Sequence, residues 1–107
     1  MLYLDGASFS GYRAEPWSVP NTTNTSASLW FRGITNLDAT LDYAFAHGLE
    51  DATEFVLTGG SAGGLSTFLH TDRVAARLKK EAPNVAKIRA APYVGFFLDH
   101  DNYGECI

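Results

Sequence analysis

Apolar positions recur along this chain with more than one period, and each change of period marks an element. Met1-Leu2-Tyr3-Leu4 is continuously apolar and predicts a short strand running into the turn-rich Asp5-Gly6-Ala7-Ser8-Phe9-Ser10-Gly11. Residues 12 to 28 hold Pro16, Pro20 and a run of Asn, Thr and Ser, which predicts one long surface loop; such loops in compact domains usually line a site. After Gly33 a helical period sets in, with Ile34, Leu37, Leu41, Ala44 and Phe45 on one face and Asp38 and Asp42 on another. Thr35 and Asp38 have capping-box spacing and Gly48 suits a left-handed C-terminal cap, which predicts a helix over residues 35–47. Residues 54–58 predict a strand stopped by Gly59-Gly60. From Ala62 the helical spacing returns, with Leu65, Phe68, Leu69, Ala76 and Leu78 as the expected buried face and Arg77, Lys79 and Lys80 as a solvated C-terminal end. Ala82-Pro83-Asn84 breaks this helix, and residues 85–91 predict another strand. The order strand, loop, helix, strand, helix, strand is that of an α/β fold with a mostly parallel sheet and right-handed crossovers.

The 107 residues suffice for one domain and no second core, and their 46% hydrophobic and 13% aromatic content excludes a disordered chain. Eight basic against twelve acidic residues give a net charge of -4 with no concentrated basic face, so no nucleic-acid partner is expected. No apolar run has the length of a membrane span, and no signal peptide is visible within the segment. The single cysteine, Cys106, allows neither an internal disulfide nor a thiolate zinc cluster, and no metal or cofactor is expected. Two sequons, at Asn21 and Asn24, would accept glycans if the chain entered the secretory pathway.

Gly59-Gly60-Ser61-Ala62-Gly63 is a G-x-S-x-G sequence between a predicted strand and a predicted helix, the setting of a nucleophile elbow. In such a turn the serine hydroxyl stands above the sheet edge, and the amide of the next residue, Ala62, sits at the helix N-terminus as an oxyanion donor. Gly59, Gly63 and Gly64 are read as structural glycines that let strand and helix approach. A phosphate-binding glycine turn is the alternative, although Ser61 stands where a dinucleotide fingerprint needs glycine and no G-K-[ST] follows.

A serine nucleophile needs a base, and the three histidines fit poorly. His70 lies about 13 Å along the same predicted helix at about 1.5 Å per residue, and is read with His47 as a helix-surface or helix-end residue. His47 closes the helix feeding the strand's starting edge, roughly 17 Å from the elbow at about 3.3 Å per residue. His100 follows the last predicted strand on the correct edge, but Asp99 and Asp101 flank it and disfavour its turning toward Ser61. Arg32 is expected to hydrogen-bond or ion-pair beside the long loop; Trp17 and Trp30 are candidates for lining a site.

Asp5-Gly6-Ala7-Ser8-Phe9-Ser10-Gly11, Trp30-Phe31-Arg32-Gly33, Thr58-Gly59-Gly60-Ser61-Ala62-Gly63-Gly64-Leu65 and Gly95-Phe96-Phe97-Leu98-Asp99 together resemble, in that order, the middle part of the pectin acetylesterase and Notum family. The resemblance implies an α/β-hydrolase-like three-layer fold, secretion, and hydrolysis of O-acyl esters, whether on an acetylated polysaccharide or a lipid-modified protein. By motif it implies Ser61 as nucleophile and the Ala62 amide as one oxyanion donor. It also implies that the family's glycine-rich oxyanion loop precedes this segment and that its triad Asp and His follow it. The 107 residues are then expected to be a single incomplete domain, an internal part of a larger catalytic domain, inactive alone and self-associating through open sheet edges. Leu4, Gly60, Thr71 and Ala90 stand where the plant members commonly carry cysteines, and Tyr93 where an aspartate is frequent, which leaves the acyl group and the alcohol open. A noncatalytic α/β binding fragment or a phosphate-binding domain is the competing class.

Overall fold

A computed structural model of the protein describes residues 5–19 and 27–98. The strand expected at residues 1–4, the sequons at Asn21 and Asn24, His100 and Cys106 lie outside them. In the segment expected as one long loop, β1 (Trp17–Val19) pairs antiparallel with β2 (Ala27–Leu29), Trp17 opposite Leu29. Strands this short are too brief for alternation to show, and their prolines and Thr/Asn neighbours read as loop. Then follow α1 (Gly33–Ala46), a 3-10 turn at Leu49–Asp51, β3 (Glu54–Gly60), α2 (Ala62–Glu81) and β4 (Lys87–Tyr93). β3 and β4 pair in parallel, from Glu54 opposite Lys87 to Gly60 opposite Tyr93. The described residues form a small mixed α/β arrangement of two helices, one parallel and one antiparallel two-stranded sheet.

Several boundaries differ from expectation for tertiary reasons. α1 starts at Gly33, and the Thr35/Asp38 capping box does not form. The Ile34 amide is instead accepted by the Gly11 carbonyl at 3.1 Å, and Asp38 turns to Arg73 in an ion pair of 2.7 Å. Gly48 does take the left-handed conformation, at φ +100, so the chain leaves α1 as expected. β4 starts later than predicted because Val85 is drawn into the core ahead of it.

The buried face of α2 is Gly64, Thr67, His70, Val74 and Leu78, so of the residues expected there only Leu78 is fully buried. Phe68 and Leu69 stay exposed. The helix turns its small and polar stripe toward the sheet because only that stripe allows the close approach at the elbow described below. The core lies at the other end, where Leu41, Val74, Leu78, Ala82 and Val85 pack with Phe45, Phe55, Leu57 and Ile88 from α1 and the inner face of the sheet. β3 and β4 each keep one edge unpaired among the described residues, the condition under which self-association is expected.

Arg77 is not a solvated helix end. Its guanidinium spans from α2 to α1, bonding Asp42, Glu81 at 3.1 Å and the Asp38 carbonyl at 3.2 Å, and lies 5.1 Å over the Phe45 ring. The hydrogen bond to Asp42 raises its pKa, against some loss from burial. Arg77→Ala is expected to cost about 1–2 kcal/mol through the lost backbone bond and packing. Arg77→Lys should not restore it, since one ammonium cannot serve this fork. Urea denaturation of the two variants measures both.

Candidate functional site

β3 and β4 end together, and the backbone bond beyond their last pair runs from the Ser61 amide to the Tyr93 carbonyl at 3.2 Å. Here the chain turns from strand to helix: Ser61 has φ +53 and ψ -120, and α2 begins at Ala62. For a residue with a side chain that conformation costs on the order of 1–3 kcal/mol and survives only where the surroundings impose it.

Two close approaches do so. A Cβ on Gly59 would lie 2.3 Å from the Gly63 carbonyl oxygen and 2.5 Å from its carbon. A Cβ on Gly64 would lie 3.0 Å from the Gly95 Cα and 3.1 Å from the Tyr93 oxygen. Helix and strand therefore meet backbone to backbone at the elbow and diverge toward the aliphatic core. Gly63 corrects expectation, because a Cβ there would meet nothing within 4 Å. It is Gly63's carbonyl, not its missing side chain, that Gly59 must clear, so the steric demand falls on Gly59 and Gly64. Gly60 has a demand of its own, since a Cβ would come within 2.6 Å of the Tyr93 ring.

Serine is a favoured N-cap residue, yet Ser61 is exposed and its side chain makes no cap bond to α2. The helix thus leaves the hydroxyl uncommitted. The first amides of α2, that of Ala62 among them, have no intrahelical acceptor and sit at the positive end of the helix dipole. An exposed hydroxyl beside such donors, at the C-terminal edge of parallel strands, suits attack on a carbonyl whose developing oxyanion is met by a backbone N–H.

The non-glycine residues with positive φ among those described are Ser8, Phe9, Ser61 and Val94, and they gather at this turn. Val94 follows Tyr93, and the Ser8 hydroxyl donates to the Ala62 carbonyl at 3.2 Å. From sequence the segment carrying Ser8 and Phe9 stood out as a turn and as part of the family resemblance, but neither residue was given a place at the site. The segment's signal is Asp5, whose carboxylate accepts the Ala7 and Phe9 amides at 3.0 and 2.8 Å, the way an acid orders a short turn.

Neither described histidine hydrogen-bonds Ser61. His70 is buried rather than on the helix surface, and its Nε2 donates to the Ser8 carbonyl at 2.8 Å. His47 ends α1 as expected, its Nδ1 2.7 Å from the Tyr43 carbonyl and its ring stacked on Tyr43. Arg32 donates to the Ala14 carbonyl at 2.7 Å and stacks over Trp30, the structural role expected of it. Trp17 lies under Arg13, and both tryptophans are more than half exposed, at 53% and 59%. Among the described residues no three potential metal ligands converge, and no helix is long and apolar enough to cross a membrane.

The family model described as Pectinacetylesterase matches residues 1–106. Pectin acetylesterase 5 of Arabidopsis thaliana is 38% identical over 97 residues, which cover 91% of this chain and 20% of that protein. Pectin acetylesterase 4 of the same plant is 36% identical over 110 residues, covering 92% of this chain and 25% of its own. Palmitoleoyl-protein carboxylesterase NOTUM of Homo sapiens is 29% identical over 90 residues, covering 84% and 18%. The chain thus spans between 18% and 25% of the length of these relatives. No solved structure gives a significant match.

Proposed function

Because the chain belongs to the pectinacetylesterase family, we propose that it carries the nucleophile of a serine-dependent carboxylic ester hydrolase, with Ser61 attacking the ester carbonyl. The observation that carries this reading is the backbone of Ser61, held at φ +53 between a parallel strand and a helix N-terminus. A histidine other than His47 and His70, both bonded elsewhere, takes the proton from the Ser61 hydroxyl as Oγ bonds to the carbonyl carbon. The carbonyl oxygen becomes an oxyanion facing the Ala62 amide and further donors from outside these residues. The tetrahedral intermediate collapses, the alcohol leaves with the proton, and water hydrolyses the acyl-enzyme by the same steps.

Relatives named for pectin acetyl groups and for palmitoleoyl-protein esters support O-acyl substrates, an acetylated polysaccharide or a lipid-modified protein. The same kinship supports a secreted protein in which these residues are one part of a larger three-layer α/β-hydrolase-like domain. No step of the chemistry requires a metal or cofactor.

The test is a fluorophosphonate reaction with the whole protein, followed by peptide mass spectrometry. The adduct is expected on Ser61, with loss of p-nitrophenyl acetate hydrolysis in proportion to labelling. Full inactivation with Ser61 unmodified would refute the assignment.

A further inference from the structure

The side of α2 buried next to the elbow carries Thr67 and His70, where a helix on a sheet ordinarily presents aliphatic side chains. Thr67 is satisfied within the helix, its hydroxyl donating to the Gly63 carbonyl at 2.9 Å. His70 reaches out of the helix instead, to the Ser8 carbonyl at 2.8 Å, while Ser8 donates its own hydroxyl to the Ala62 carbonyl at 3.2 Å. Ala62 and His70 are about two turns apart, yet one residue touches both. Helix carbonyls point toward the C-terminus and side chains lean toward the N-terminus, so the Ala62 oxygen and the His70 ring converge on whatever docks between them.

What docks there is rigid. Ser8 and Phe9 hold φ of +53 and +57, and the Asp5 carboxylate fixes them from the other side through the Ala7 and Phe9 amides. The Phe9 Cα abuts Gly33 at the start of α1, where a Cβ would come within 2.8 Å. The loop is therefore a wedge set between the start of α1 and the first turns of α2.

We infer that His70 is a positioning residue: through Ser8 it sets the first turn of α2, and with it the direction of the Ala62 N–H and the backbone of Ser61. This inference rests on the esterase reading of Ser61. A misdirected oxyanion donor weakens the hold on the transition state more than on the neutral substrate, so loss of the His70 bond belongs in kcat rather than KM. If His70 served only to fill space, an apolar residue of similar size would replace it with an effect on stability alone.

The experiment compares His70→Leu, His70→Gln, Ser8→Ala and Ser61→Ala in the whole protein, with p-nitrophenyl acetate as substrate and hydrogen exchange of the Leu65 and Ser66 amides as a second readout. His70→Leu and Ser8→Ala are expected to lower kcat by about tenfold or more, to leave KM within about twofold, and to speed exchange in the first turn. His70→Gln, which keeps a donor near the place of Nε2, is expected to recover most of kcat. Equal kcat in His70→Leu and His70→Gln would overturn the inference, and so would unchanged exchange in both His70→Leu and Ser8→Ala. If His70→Leu does not fold, Ser8→Ala decides, and wild-type kcat in that variant overturns the proposal. Turnover that survives Ser61→Ala refutes the esterase reading instead, and the exchange rates then judge the His70–Ser8 contact by themselves.

Discussion

Ser61→Ala in the whole protein is expected to lower kcat for ester hydrolysis by about 10⁴-fold or more, while KM moves by less than about twofold. The hydroxyl forms the bond to the acyl carbon, and no neighbouring described side chain is placed to substitute for it. Its removal touches little else: Ser61 is exposed, its side chain does not cap α2, and the bonds of its backbone to Tyr93 and Leu65 survive the change. Thermal stability should therefore stay near wild type, which separates a chemical defect from an unfolded one. A phosphate site at this helix terminus would respond otherwise, with weaker anion binding in Ser61→Ala and greater damage from Gly64→Val than from Gly59→Val. Steady-state kinetics on acetylated sugars and on longer acyl esters read the first outcome, and titration with inorganic phosphate reads the second. Hydrolysis undiminished in Ser61→Ala would end the serine-esterase reading.

The other large effect is on folding. Gly59→Ala is expected to destabilise by about 3 kcal/mol or more, at the upper end for overpacking, because the added methyl would sit 2.3 Å from the Gly63 carbonyl oxygen. Backbone lies on both sides of that contact, so neither can rotate away. Relief requires α2 to lift off β3, which would also release Ser61 from its turn and remove activity. Gly60→Ala should cost less, since its obstacle is the ring of Tyr93, 61% exposed and free to swing outward. Gly63→Ala has open space around the new methyl and should fall within about 0.5 kcal/mol of wild type or gain slightly from better helix propensity. Thermal midpoints and urea transitions of the three variants give the order directly. A Gly59→Ala protein as stable as Gly63→Ala would show that strand and helix are not in contact at the elbow.

Strand, turn and helix around Ser61 were legible because each is signalled by adjacent residues: the alternation of Phe55 and Leu57, the glycines after Thr58, the helical run from Ala62. β3 accordingly starts at Glu54 as expected but runs on through Gly59 and Gly60, which were expected to stop it, because both still pair with Pro92 and Tyr93 of β4; α2 keeps both its predicted start and its predicted end before Pro83. Periodicity was misleading about which stripe of α2 is buried. It favoured Phe68 and Leu69 for their hydrophobicity, whereas the sheet accepts Gly64, Thr67 and His70 because bulk on that side would hold the helix away from Gly59 and Gly95. The missing capping box has a similar cause, since α1 starts two residues earlier at Gly33, which places Thr35 inside the helix, and the Asp38 carboxylate is taken by Arg73.

What the sequence by itself determined, then, is the kind of turn that holds Ser61 and the pair of elements that flank it, carried by residues within a few positions of one another, and the family, carried by four short motifs in order between Asp5 and Asp99. Only the tertiary structure decided that Gly59 and Gly64 bear the steric demand, that Arg77 ties α2 to α1, and that Ser8 and His70 meet beside Ala62. Those contacts join residues up to 62 positions apart. A local pattern encodes backbone conformation and the amphipathic face of one element; which faces then come together is set by the packing of the whole, where a single carbonyl or a missing methyl outweighs a residue's own propensity.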